Sequence, residues 1–124
     1  MEYTQQSRGF MKISELAREC DVSKDTIRLY TKLGLISCTR LAAGSRFYAD
    51  YNGSAVELVK GIRIAQSIGF TLAEIKPLAD EYTSKGITPE RERTLLEAKL
   101  VEIAEKRKYL DLLTKTIQDK LDKQ

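Results

Sequence analysis

Between Ile13 and Gly34 the apolar residues recur at helical spacing, broken once by the polar stretch CDVS at 20–23. Leu16 and Ala17 face inward on a first helix, for which Ser14 offers a cap, and Val22 sits in the turn. Ile27, Leu29, Tyr30 and Leu33 mark a second helix, with Ser23 supplying a hydroxyl for an orphan backbone N–H. Gly34 suits the left-handed position that closes it. Two helices of about two turns each, joined by a tight turn, predict a helix-turn-helix. The period then changes. Leu35, Ile36 and Cys38, followed by Phe47 and Tyr48, fit two short strands with AAGS as the turn between them. Arg40 and Arg46 flank that turn, so the hairpin reads as a basic wing.

Helical spacing returns at Ala55, Leu58, Val59, Ile62 and Ala65. Ser54 and Glu57 have the spacing of a capping box, and Gly69 ends the helix. Thr71 and Glu74 form a second box. Pro77 conflicts with the helix that follows, since it lacks an N–H and restricts Lys76, so the pattern predicts either a kink or a late helix start.

The last segment is the most regular. Thr88 is a cap, Pro89 stands at the first helical position, and Glu90 and Glu92 suit the positive end of the helix dipole. Leu96, Leu100, Ile103, Arg107, Leu110, Thr114, Ile117 and Leu121 follow heptad steps. A helix roughly 50 Å long exceeds what a small domain covers, so this seam predicts a second helix packed on it. The alternative is an amphipathic helix lying partly on its own domain. Arg107, near mid-helix, interrupts the seam; it either snorkels outward or pairs with Glu102 or Glu105 of a partner.

The 124 residues suffice for one small compact domain and one further element, not two full domains. The reading divides the chain into a flexible extension at 1–10, a winged helix-turn-helix domain at 11–85 and a dimerisation helix at 86–124. No apolar run approaches the roughly 18 residues of a membrane helix, and no signal-peptide core opens the chain, so a cytoplasmic protein without membrane contact is expected. Net charge is +3, but residues 1–70 hold ten Lys/Arg against seven acids, whereas 89–122 balance eight against eight. The basic excess points to an anionic partner, and double-stranded DNA is the commonest. With no histidine, the usual general base and the usual metal ligand are both missing. The two cysteines, Cys20 and Cys38, fit no metal spacing and read as small buried apolar residues, the alternative being a thiol sensor, which would need a depressed pKa and exposure. No catalytic residue, no metal ligand and no cofactor is expected.

The order of parts, with ISELARECDVSKDTIRLYTKLGLI (13–36), Arg40, GSRFY (44–48) and IRIAQSIGFTLAEIK (62–76), resembles the MerR family of transcription regulators. The resemblance covers about residues 11–122. It implies a mostly α fold: a winged helix-turn-helix followed by a long helix that pairs with its twin as an antiparallel coiled coil. Residues 23–33 would be the recognition helix in the major groove. Thr26, Arg28 and Tyr30 stand where the family contacts DNA. Arg28 reaches a phosphate or forks onto guanine, and Tyr30 either donates to phosphate or is mostly core. Ser23 and Lys24, at the positive helix end, suit phosphate. Arg40 and Arg46 match wing arginines, Tyr48 closes the wing motif, and Arg63 matches a contact on the third helix. Lys12, Arg18 and Lys60 read as surface charge.

Several positions depart from the family pattern. Leu29 replaces an aromatic, Thr31 an acid, Cys38 a proline and Ser45 a tyrosine. Metal-sensing relatives place cysteines at the start of the dimer helix and after it, and drug-sensing ones add a domain, so the chain is expected to carry no sensor. The implied function is a homodimeric, sequence-specific regulator on a near-palindromic promoter site, distorting the spacer, with RNA polymerase as a further partner at the promoter. The competing reading is a coiled-coil adaptor, or an architectural or recombination factor. The operator, the effector and the sign of regulation are not legible.

Overall fold

A computed structural model describes residues 9–124, the Phe47 side chain excepted. Its element order is β1 (Phe10–Lys12), α1 (Ile13–Cys20), α2 (Lys24–Lys32), β2 (Thr39–Ala43), β3 (Arg46–Asn52), α3 (Ala55–Ser67), α4 (Leu72–Lys85) and α5 (Pro89–Asp122). The chain divides into two units, one through Lys85 and one spanning Gly86–Gln124. The mostly helical fold with a small sheet agrees with the sequence reading.

In the first unit an antiparallel sheet, in the order β1-β3-β2, packs against the helices. Strand β1 was not expected. Most of the extension at 1–10 lies outside the described residues, but Phe10 pairs with Asn52 and Met11 with Tyr51. The hairpin also begins later than the periodicity suggests. Leu35 and Ile36 are buried in the turn after α2, and β2 starts only at Thr39. The reason is hydrogen bonding: Leu35 N–H donates to the Tyr30 carbonyl at 2.9 Å and Gly34 N–H to that of Thr31 at 3.0 Å. With Gly34 at φ 78°, these two bonds close α2 as a Schellman motif and draw the two apolar residues inward.

Two caps differ from expectation. Helix α1 begins at Ile13 with Lys12 as an extended N-cap, so Ser14 caps nothing; the strand running into the helix sets the boundary. Ser54 is already helical and its hydroxyl makes no cap; its N–H donates to Asn52 Oδ1 at 2.9 Å instead. The Thr71–Glu74 box forms in both directions, at 2.8 and 3.1 Å. Held by that box, α4 starts at Leu72 and runs through Pro77 without a late start. Ala73 and Pro77 are both exposed, so water can satisfy the Ala73 carbonyl that loses its partner.

The core gathers Met11, Leu16, Ile27, Tyr30, Leu35, Tyr51, Val56, Val59, Ile62 and Ile75, each 3% exposed or less. The expected inward residues Leu16, Ala17, Ala55, Val59 and Ile62 are buried, whereas Leu58 and Ala65 are only partly so. In the second unit, α5 is a single 34-residue helix, opened by Thr88 Oγ1 accepting the Arg91 N–H at 3.1 Å.

Candidate nucleic-acid interface

Helix α2 buries Ile27 and Tyr30 and turns the opposite face outward. That face carries Lys24, Asp25, Arg28 and Lys32, with the apolar Leu29 exposed among them. Ser23 begins the helix. Its Oγ accepts the Thr26 N–H at 3.0 Å and lies 2.9 Å from the Thr26 hydroxyl. Ser23 and Thr26 therefore spend their hydroxyls on the cap, and Lys24 is left outward at the positive end of the helix dipole. Arg28 is exposed and donates to Asp25 Oδ1 at 2.8 Å. Both side chains are more than half exposed, so this pair is worth at most about 1 kcal/mol and yields readily to a stronger anion.

The turn before α2 is built around Asp21, whose φ of 56° makes it the only non-glycine in the left-handed region among the described residues. The Arg63 guanidinium, on α3, donates to the Asp21 carbonyl at 3.3 Å. Arg63 thus steadies the helix-turn-helix corner while remaining exposed. Tyr30 needs correction as a surface contact. It is 2% exposed and its hydroxyl donates to Gln66 Oε1 at 2.6 Å. An aromatic three residues after Ile27 falls on the buried stripe, and Gln66 on α3 satisfies its polar tip. Burial pushes the phenols of Tyr30 and Tyr51 above the ordinary range.

The hairpin register decides which wing residues share a face. Arg40 faces Ala49, Leu41 faces Tyr48 and Ala43 faces Arg46. Because side chains alternate, Arg40 lies on the face of Ala49 and the buried Tyr51, whereas Arg46, Tyr48 and Asp50 lie on the other. The two wing arginines therefore flank opposite sides of the ribbon. Tyr48 is half-buried, with the Lys12 ammonium 5.0 Å from its ring centroid. Lys12, read as plain surface charge, is placed there by β1, for which the periodicity carries no strong signal. Arg46 stands beside the turn and is exposed. Replacing it by alanine is expected to weaken binding about equally on all DNA sequences and to lower the slope of log affinity against log salt by about one unit. Titrations on specific and scrambled duplexes at several salt concentrations check this.

Cys20 is 8% exposed and its thiol donates to the Val56 carbonyl at 3.7 Å. Burial pushes that thiol up, against the smaller opposing pull of Lys60. Cys38 is half-buried. A thiol reagent at neutral pH is therefore expected to label Cys38 well before Cys20, and Cys20 only as the protein opens. Mass spectrometry of timed quenches reads the order; faster labelling at Cys20 would contradict its burial.

On α5 every apolar seam residue is exposed in the single chain: Leu96 and Ile103 at 40%, Ile117 at 59%, Leu110 and Leu121 at 60%, Leu100 at 66%. Arg107 is exposed too. Glu102 accepts from Lys99 at 2.8 Å and from Lys106 at 3.2 Å, and those bonds hold its carboxyl below the usual range. Val101, Tyr109 and Leu112 are also exposed, off the seam. Among the described residues no helix is long and apolar enough to cross a membrane, and no cluster of metal-ligating side chains forms.

Residues 11–82 match the family described as MerR HTH family regulatory protein, and residues 56–120 the one described as MerR, DNA binding. The chain is 33% identical over 112 residues to the HTH-type transcriptional regulator ZntR of Escherichia coli, covering 82% of this chain and 77% of that protein. It is 41% identical over 68 residues to the mercuric resistance operon regulatory protein of Bacillus cereus, a match spanning 54% of this chain and 49% of that protein. Among solved structures, a transcription regulator from Ralstonia metallidurans in complex with lead(II) superposes with a TM-score of 0.70 at 24% identity, covering 88% of this chain and 83% of that one. HiNmlR, described as a MerR family regulator lacking the sensor domain and bound to promoter DNA, superposes with a TM-score of 0.58 at 23% identity, covering 82% of this chain and 79% of that one.

Proposed function

The chain belongs to the MerR family of DNA-binding transcriptional regulators, and we propose that it acts as a homodimer on a near-palindromic promoter site. The observation that carries the dimer is the seam of α5: one chain folds this helix and leaves six apolar seam residues exposed. A soluble helix with such a stripe needs a partner surface, and a heptad repeat is matched best by a second copy. A two-fold dimer presents two recognition helices, so its site carries the same symmetry.

In this reading Lys24 and Arg28 enter the major groove on α2, with Arg28 exchanging Asp25 for a guanine edge or a phosphate. Ser23 and Thr26 shape the end of the helix that meets the backbone. Arg40 and Arg46 reach phosphates from the two sides of the wing, Tyr48 supports the Arg46 side, and Arg63 fixes the corner. Tyr30 serves through packing. Distortion of the promoter spacer is the mode of action proposed, with RNA polymerase as the partner that responds, and the cytoplasm as the compartment. Selection of bound fragments from random DNA, followed by footprinting, tests the whole. A footprint with two symmetric half-sites is expected; sequence-blind binding would favour an architectural factor.

Because relatives bear metal-related names, metal binding is a pointed question. Cys20 lies in α1 and Cys38 before β2, and neither has a histidine to join it. This chain is expected to bind no zinc or copper(I) tightly through its own thiols. A stoichiometric complex lost in a Cys20→Ser, Cys38→Ser double variant would overturn that.

A further inference from the structure

We propose that the Tyr51 hydroxyl is the joint that fixes the hairpin β2–β3 against α2, making Tyr51 and Thr31 positioning residues for the wing's DNA contacts. The inference rests on the reading that α2 and the wing bind DNA. Tyr51 lies on β3 and is 2% exposed. Its hydroxyl is 2.8 Å from Thr31 Oγ1 on α2. Thr31 donates its own proton to the Ile27 carbonyl at 2.7 Å, so Tyr51 is the donor of the pair. One buried phenol thus ties the outward helix to β3 of the hairpin.

The geometry makes this joint matter far from itself. Residues 42–46 at the turn are exposed and stand clear of the core. Arg46 is five residues from Tyr51, roughly 17 Å along an extended strand. A rotation of about 10° at the base would move the turn by roughly 3 Å, several times the range over which an arginine–phosphate hydrogen bond survives. Backbone pairing with β1 holds the base of β3 within the sheet, and the buried hydroxyl pair adds a directional bond that sets β3 against α2.

The test uses the full chain, a selected operator duplex and a scrambled duplex, with binding measured across a salt series. Thr31→Val and Tyr51→Phe each remove one hydroxyl and keep the shape; Thr31→Ser keeps the hydroxyl. Circular dichroism and thermal melts establish that each variant is folded at the binding temperature. Both deletions are expected to weaken binding to both duplexes about fivefold, the worth of one hydrogen bond. They should also flatten the salt slope by about one unit. Arg46→Ala should then add nothing in either background, and Thr31→Ser should restore the slope. If the deletions lower the melting temperature but leave the slope intact, with Arg46→Ala adding its full effect, the hydroxyl pair is core packing and the proposal is wrong. If the wild-type chain binds neither duplex at any salt concentration, the DNA reading itself fails and takes the joint with it.

Discussion

Leu110→Asp is expected to leave α5 helical and the protein monomeric. Leu110 is 60% exposed in the single chain and lies on the heptad seam, flanked by Ile103 and Ile117 one heptad away on either side. In a two-fold pair the substitution acts twice. Each copy loses about 2 kcal/mol of apolar burial and adds a carboxylate whose desolvation costs several kcal/mol more. A total of roughly 6 kcal/mol or more would raise the dimer dissociation constant by at least four powers of ten. Ile103→Asp should behave alike. Operator binding should collapse with the dimer, since one half-site offers few contacts. Sedimentation decides the matter: a Leu110→Asp protein that remains a dimer at micromolar concentration means that the seam has been misread. Arg107 refines the picture. Glu102 is already held by two lysines of its own helix, which leaves Glu105 as the better placed acid for a partner's Arg107.

Arg28→Ala should abolish most of the preference for operator over scrambled DNA while leaving the fold alone. A guanidinium reading a guanine edge is worth about 1–3 kcal/mol of discrimination, so the ratio of affinities should fall between about fivefold and 150-fold. The stability cost should be small, because only the exposed Asp25 pair is lost. Melting temperature and competition binding separate the two effects. An unchanged affinity ratio would remove Arg28 from base reading.

Helix α2 was legible because its signals are local. Ser23, Ile27, Tyr30 and Gly34 sit at spacings that a nine-residue helix and its caps require, and backbone geometry enforces those spacings wherever the helix is packed. The long helix α5 was legible for the same reason: 34 residues without an internal glycine or proline keep the helical phase. Ser14 and Ser54 misled because a capping hydroxyl matters only if the backbone turns at that residue, and β1 and the Asn52 side chain fixed those boundaries instead.

Sequence alone therefore determined the family, the helix-turn-helix, the long helix and the basic character of its DNA-binding half. Tertiary structure decided what each polar side chain does. Tyr30 looked equally fit for phosphate or core until Gln66, 36 residues away, took its hydroxyl. Thr31 registered only as a departure from the family's acid until Tyr51, 20 residues away, was found on it. Arg40 and Arg46 looked like a pair until the register placed them on opposite faces. Helical period and capping act within a few residues and are written in order along the chain; the partner of a buried hydroxyl and the face of a strand are settled only when distant segments meet.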